Sequence, residues 1–341
     1  MVVVKPEEEL RALTVKVLVS AGASARNAEQ VAEHLVTANL SGVDTHGLWQ
    51  LPGYVDQLRR GLIDGAAEPS VLADGPAHVL VSGNWTFGQV AVNFALERGM
   101  ALARERGVAV VGVVQCHHTG RMGHYAERAA GGGVISLAFT GGYSENRPAT
   151  FPYGGAAPVL HTNPIAFGAP CSATTRVMFD FATTVLSGVK VDEARRLGEK
   201  LPAGAIVDRH GMPTTDPEEF FNGGGHLPFG GHKGYAISVA SEILSRVFLG
   251  TDQYVTEGRG GPLFDHQGVT LLLLRADLFT SRSHFDDVAT ELVTRLHGIE
   301  PRAGNSAVLV PGDPEIHARE SRTREGIPLD DDLWTRLSAL V

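Results

Sequence analysis

The spacing of hydrophobic and polar residues changes character along this chain. The first stretch, PEEELRALTVKVLVSAG, places apolar residues at helical intervals. Pro6 suits a first helical position, acids fill the first turn and Gly22 ends it. SARNAEQVAEHLVTANLSG repeats the plan, with Ser24 as cap and Gly42 as stop. A third helix is predicted from about Gly47 into YVDQLRRG, interrupted by Pro52. The texture changes beyond the Pro/Gly-bearing stretch Ala73–His78. HVLVSG (His78–Gly83) alternates as a strand and FGQVAVNFALERGMALARERG is strongly helical. GVAVVGVV (Gly107–Val114) reads as a buried strand, YAERAAGGG as a short helix and VISLAFT (Val134–Thr140) as another strand. Alternating helix and strand predict an α/β domain. From about Gly141 to Gly230, Gly, Pro, Thr and Asn dominate, with VMFDFATT (Val177–Thr184) the candidate strand among long connections. A helix (KGYAISVASEILSRVFLG), a strand (GVTLLLLRADLF) and a helix (His284–Gly298) follow, and DDDLWTRLSALV is a last helix.

A chain of 341 residues supports a large core and two domains. The net charge of -9 argues against a nucleic-acid partner, which needs a basic surface. The N-terminal apolar run is too short for a signal peptide, and VTLLLL (Val269–Leu274) is far short of a membrane span. Two cysteines give no disulfide framework, so a cytoplasmic protein is expected. Many of the 41 glycines cluster in loops, a pattern that suits backbone packed against a ligand.

The chain has no GxGxxG after a strand, no P-loop, no GxSxG elbow, no CxxC and no HExxH. The stretch with most chemistry is CHHTGRMGHY (Cys116–Tyr125), at the end of the strand Gly107–Val114. Strand ends and the loops after them are favoured ligand sites. His117 and His118 are adjacent and point to opposite sides, so one of them can serve a given site. His118 suits proton transfer near neutral pH. A purely structural histidine pair and a metal site with His124 are the alternatives. Cys116 fits a small buried residue better than a nucleophile. In SGVDTHGLWQLPGYV, His46 sits in a first helical turn, where the helix dipole lowers proton affinity and favours anions. Asp180 in DFATT either closes a strand or orients a histidine. Thr162 and Asn163 precede a Pro-fixed turn and read as scaffold or substrate contacts. GGHKGYAIS puts His232 and Lys233 at a Gly-rich helix start, an anion cradle in outline. Together, His, Lys, Asp and Gly loops fit proton-coupled hydride transfer with a bound nicotinamide.

GVDTHG, HHTGRMGHY, PYGG, TNPIAFGAP, DFATT, HKGYA and the tail from LVPGDPE to REGIPL occur in that order. On these motifs the chain resembles the type-2 malate/L-lactate dehydrogenase family over nearly its whole length, with HHTGRMG and LVPGDPE most similar to the hydroxycarboxylate dehydrogenase B branch. The resemblance implies a non-Rossmann α/β (α+β) fold. A large mixed-sheet domain, residues 76–299, would be inserted into a smaller helical domain of residues 1–75 plus 300–341. It implies a homodimer and NAD or NADP as cofactor. The implied cofactor contacts are His46, Gly120, Arg121, Met122, Met178, Phe179, Asp180, Phe181, Ala182, His232, Gln267, Gly312, Asp313, Pro314 and Glu315, with Lys233 within reach of a phosphate. The implied acid/base is His118, with His46 orienting substrate or cofactor and Asp180 supporting it. In imine-reducing members the Asp180 and His46 positions are implicated instead. One departure bears on substrate. Malate-, sulfolactate- and ureidoglycolate-type members carry Arg where this chain has Gln50, and an amide cannot match a guanidinium's charge or fork on a carboxylate. A monocarboxylate, possibly aromatic, is therefore expected, with Gln50, Tyr54, Thr162 and Asn163 as substrate contacts and Trp49 nearby. The expected activity interconverts a 2-hydroxy acid and a 2-oxo acid, with no bound metal. Alternatives are a cyclic imino acid reductase, a malate or lactate dehydrogenase, a metal-dependent lyase or hydrolase using His117, His118 and His124, and a non-catalytic binding protein.

Overall fold

A computed structural model describes residues 2–142, 149–172 and 176–340. Strand β1 (Val2–Lys5) leads into α1 (Glu7–Ser20), and Pro6 stands just before that helix rather than in its first turn. Ser24 caps α2 (Ala25–Leu40) by accepting from the Asn27 amide. Two short 3-10 turns follow, and Pro52 lies in the first turn of α3 (Leu51–Arg59). Pro52 thus starts the third helix instead of interrupting it, since a first-turn N–H has no intrahelical acceptor to lose.

Among the described residues the large sheet has seven strands. They are β2 (Ser70–Gly75), β3 (His78–Ser82), β4 (Val108–Val114), β5 (Val134–Gly141), β6 (Ile165–Pro170), β7 (Arg176–Phe181) and β11 (Gly268–Arg275), in the order β2-β3-β4-β11-β5-β6-β7. Only β3 and β4 run parallel, so the sheet is mixed as expected. The stretch at residues 73–78 comprises the end of β2, the two-residue turn Pro76–Ala77 and the start of β3. Helices α4 (Gly88–Arg106) and α5 (Met122–Gly131) pack their small and aliphatic residues on this sheet. The Gly-rich middle folds as α6 (Gly188–Leu197), α7 (Pro217–Phe221) and a three-stranded sheet of β8 (Ile206–Val207), β9 (Pro213–Thr214) and β10 (Gly225–His226). This unit has its own small core around Val191, Leu201 and Ile206.

Helix α8 (His232–Glu242) continues as a π-helical turn to Val247, and the short α9 (Gly261–Phe264) precedes β11. Helix α10 (Arg282–His297) precedes the tail, which forms α11 (Asp313–Glu325), β12 (Ile327–Asp330) and α12 (Asp331–Ser338). Strand β12 pairs antiparallel with β1, and Ile327, Leu329, Leu333 and Leu337 share one core with Leu10, Val31, Leu35 and Leu51. The two ends of the chain therefore build one helical layer.

Register decides what meets at the end of the large sheet. The end of β4 (Val113) faces the start of β11 (Val269), and Gly268 faces Gly141 at the end of β5. Ile165 at the start of β6 faces Phe139 and Phe181. The loops carrying His118, Gln267, Thr162 and Asn163, and the end of β7 carrying Asp180, thus converge at one end of the sheet. The helical layer supplies the opposite wall.

Candidate active site

A cavity of about 390 Å³ opens at this convergence. His46, Gln50, Tyr54, His118, Gly120, Thr162, Asn163 and Gln267 all line it. Loop 115–121 is held by its surroundings. The Gln267 amide donates to the His117 carbonyl at 2.8 Å, and a Cβ on Gly88, in the first turn of α4, would overlap the His117 and His118 carbonyls. Gly120 adopts φ +70°, and a Cβ there would run into the His34 ring. The loop is thereby pressed onto α2, where His34 Nε2 accepts from the Arg121 amide at 2.8 Å.

His117 and His118 diverge as adjacent residues must. His117 is 1% exposed, packs on Phe264 with ring centroids 4.5 Å apart, and is driven down to about 3 by burial. His118 faces the cavity. Its Nδ1 shares a hydrogen bond of 2.7 Å with the Tyr54 hydroxyl, which accepts from Gln89 Nε2 at 2.6 Å. Burial, and then the neighbouring His46, His117 and His161, hold His118 well below its ordinary proton affinity. Burial also pushes the Tyr54 phenol up, so it stays protonated.

The His46 ring lies over His118, with centroids 6.0 Å apart and planes 20° from parallel. Its Nδ1 shares a 3.1 Å contact with Thr45 Oγ1. Burial lowers the proton affinity of His46, Asp180 opposes that, and Arg121 reinforces it. Asp180 accepts from the Gly123 amide at 2.7 Å, which ties β7 to the start of α5. Gln50 donates to the Thr45 carbonyl at 2.8 Å. Asn163 sits at φ +33°, clamped by the His161 amide on its oxygen and by Glu242 on its nitrogen.

Other expected site residues lie outside this lining. Arg121 and Met122 are each 1% exposed. Arg121 reaches Ser41 Oγ (3.2 Å), Glu127 (3.0 Å) and Met178 Sδ (3.7 Å) instead of a cavity. His232 and Lys233 are exposed at the start of α8, and the His232 ring lies 6.0 Å from Tyr153. Asp313, the first residue of α11, holds the preceding turn, accepting from the Val310 amide and from His297 Nε2, each at 2.7 Å. Pro314 and Glu315 lie in that helix's first turn. Trp49 does not face the histidine cavity: Arg196 and Arg336 each stand 4.8 Å from its ring, because the 3-10 turn sends successive side chains in different directions. His124 packs on His34 with ring centroids 4.5 Å apart and is not part of the cavity lining. No metal-holding group of three or more His, Cys, Asp or Glu occurs among the described residues.

A second cavity, of about 500 Å³, lies between β7 and α11. Met178, Gly312, Arg176, Arg319 and Arg324 contribute to its wall, and Gly312 rests against the Met178 backbone. Glu127 lies at its base between Arg121 and Arg319. Burial works against the Glu127 carboxylate, but the two guanidiniums outweigh it and hold the group below its usual range. Replacing Glu127 by Gln would leave the Arg121 guanidinium buried without its counter-ion. A destabilisation of about 3–5 kcal/mol is expected, read as a lower denaturant midpoint at unchanged slope. An unchanged midpoint would show that the pair contributes nothing to the fold. On the opposite face of β7, Phe167, Phe179 and Phe181 stack at 5.5 and 5.0 Å, and Ala182 follows at the strand's end.

Sequence reasoning missed His161, Phe264 and Gln89. His161 carries a signal, since it directly precedes Thr162, and burial drives it down to about 4. Phe264 and Gln89 carry none, because only packing brings Phe264 to His118 and Gln89 to Tyr54.

The model of the malate/L-lactate dehydrogenase family matches residues 6–338. The malate/(S)-sulfolactate dehydrogenase of Methanothermus fervidus is 33% identical over 340 residues, covering 99% of this chain and 97% of the relative. Hydroxycarboxylate dehydrogenase B of Escherichia coli is 30% identical, covering 92% of this chain and 86% of the relative. Among solved structures, the delta1-piperideine-2-carboxylate reductase of Pseudomonas syringae superposes with a TM-score of 0.87 at 32% identity, covering 99% of this chain and all (100%) of that one. These relatives act on different substrates at nearly equal identity, so the likeness fixes the class of chemistry and leaves the substrate open. The chain belongs to the malate/L-lactate dehydrogenase family and is an enzyme of the hydroxy-acid dehydrogenase type.

Proposed function

We propose that this enzyme interconverts a 2-oxo monocarboxylate and the corresponding 2-hydroxy acid, with NAD or NADP as cofactor and His118 as the acid/base. The observation that carries this reading is His118 itself, which lines the cavity and is hydrogen-bonded to Tyr54 through Nδ1, leaving Nε2 as the nitrogen to meet substrate. In reduction His118 gives a proton to the substrate oxygen, and in oxidation it takes one back. His46 stacks on it and helps fix where substrate sits. The nicotinamide, when bound, supplies or accepts the hydride.

The residues fit such a cofactor. The N-terminus of α11 at Gly312, with Arg176, Arg319 and Arg324 on the same cavity wall, suits phosphate oxygens. Gly120 borders the histidine cavity and Met178 borders the arginine cavity, so the implied cofactor contacts span both. His232 and Lys233 would approach from the start of α8, beyond Phe229, which meets Phe181 at 5.5 Å.

The monocarboxylate assignment rests on the lining. Among the described residues it holds no Arg, Lys, Asp or Glu. One carboxylate can be met by the Thr162 and Asn163 region and by histidine. A second would be buried without a counter-charge, which is costly. We also read the protein as a cytoplasmic homodimer: its two cysteines are free and buried, and Val247, Phe248 and Phe279 are large exposed apolar residues. No helix among the described residues is long and apolar enough to cross a membrane.

The test is NADH or NADPH consumption at 340 nm against phenylpyruvate, pyruvate, glyoxylate, oxaloacetate and a cyclic imino acid. Phenylpyruvate should be reduced and oxaloacetate should be far slower. Preference for oxaloacetate would sink the monocarboxylate reading. A second reading is a cyclic imino acid reductase, favoured by the pull of Asp180 on the proton affinity of His46. Turnover of the imine alone, surviving loss of His118, would select it.

A further inference from the structure

Behind His118 lies a chain of polar groups that ends in a choice. Gln89, on the first turn of α4, is fully buried (0% exposed). Its Nε2 donates to the Tyr54 hydroxyl, while its Oε1 is buried with no hydrogen-bond partner among the described residues. Tyr54 in turn meets His118 Nδ1. A phenol has one hydrogen to give. With the Gln89 nitrogen facing Tyr54, the phenol oxygen accepts there and its hydrogen goes to Nδ1. Neutral His118 must then carry its proton on Nε2, toward the cavity. With the amide reversed, Tyr54 donates to Gln89 Oε1 and its oxygen is free to accept from Nδ1–H. His118 can then hold a bare Nε2 that takes a proton, or carry protons on both nitrogens. Because one amide end is unpaired in either orientation, reversal exchanges one unpaired group for another.

We infer that Gln89 is a positioning residue which, through the Tyr54 hydroxyl, sets which nitrogen of His118 carries the proton and, by turning its amide, lets His118 become doubly protonated. Gln89 is not part of the cavity lining. The inference rests on the reading of His118 as proton donor and acceptor. The proton balance starts from the reversed amide: His118 exchanges its Nε2 proton through water in the cavity for one on Nδ1, Nδ1–H donates to Tyr54 and the Tyr54 hydrogen turns to Gln89 Oε1. The substrate hydroxyl's proton then moves to the bare Nε2.

The test pairs a spectrum with kinetics. In cofactor-free protein labelled with 15N-histidine, the His118 signals are those lost in His118→Asn. At pH 7.5 wild-type His118 should carry its proton on Nε2 with Nδ1 bare. A bare Nε2 in the free protein would overturn the inference. Gln89→Met removes the acceptor that Tyr54 needs when Nδ1 is protonated. Turnover should fall about ten- to a hundredfold in both directions, the cost of one unpaired buried donor, with KM little changed. In a Tyr54→Phe background the same change should cost nothing further, because no hydroxyl hydrogen is left to place. An equal loss in both backgrounds would mark Gln89 as packing alone and sink the inference. Should Gln89→Met not fold, the wild-type spectrum still decides. Full activity of His118→Asn would instead remove the functional reading and leave the spectral assignment standing.

Discussion

Replacing His118 by Asn should lower turnover about 10²–10⁴-fold in both directions, while the affinity for NADH or NADPH barely moves. With substrate and cofactor binding unchanged the two directions fall together, because the ratio of their kcat/KM values is tied to an equilibrium constant the enzyme does not alter. Asn keeps a polar side chain in the cavity but cannot carry a proton to the substrate oxygen. The pH profile adds a second signature. Burial and the neighbouring histidines keep His118 well below its ordinary affinity, so the neutral form prevails at pH 7. Reduction needs the protonated form. The wild-type reductive kcat/KM should therefore fall as pH rises through neutrality, by about tenfold per unit. Oxidation needs the neutral form and should be nearly flat over that range. The residual activity of His118→Asn should lose the sloping limb. Turnover that survives the substitution with its slope intact would move the proton-handling role to His46 and Asp180.

Acid should unfold this protein well before most carboxylates are neutralised. Four histidines are sealed from solvent: His34 at 0% exposure, His117 and His226 at 1%, and His124 at 7%. Burial is the first cause of lowered proton affinity in each, driving His117 and His226 to about 3 and His124 to about 4, with His34 also well below 6.5. Their folded affinities lie below the unfolded value, so the unfolded chain binds these protons first. The stability of the neutral, buried forms is fully present above about pH 6.5 and is lost as pH falls toward the folded values. Four such groups give a slope on the order of 5 kcal/mol per pH unit in the middle of that window. A domain of ordinary stability is exhausted within about two units. Loss of near-ultraviolet and far-ultraviolet circular dichroism is expected between about pH 4 and pH 5.5. Retention of both signals at pH 4 would show that these rings find room to protonate inside the fold.

Much of this architecture was legible because its signals are local. Ser24 caps α2 as its spacing requires, and the aliphatic runs at 107–114 and 268–275 are central strands of the sheet. The motif residues His46, Gln50, Tyr54, His118, Thr162, Asn163 and Gln267, spread over more than 200 positions, line one cavity. Other elements carried no local signal. Pro164, Gly168 and Pro170 make β6 read as a turn, yet β5 and β7 pair with it on both sides and force it to extend. Strand β2 was lost in the Pro/Gly-bearing hairpin that joins it to β3. Pro52 looked like an interruption because the 3-10 turns before α3 are set by Asn39, which accepts from the Leu48 amide nine residues away.

The sequence by itself determined the class of chemistry, the helices with clear caps and the histidines able to move a proton, since these depend on residue type and short-range spacing. Only the tertiary structure decided which histidine faces the cavity, that Arg121 is bound up in a buried ion pair, that Trp49 turns away, and that Tyr54 and Gln89 stand behind His118. Those outcomes depend on strand register and on how α3 and α4 meet at the loop after β4. Contacts between residues tens of positions apart are fixed by packing, and a single chain's local pattern does not record them.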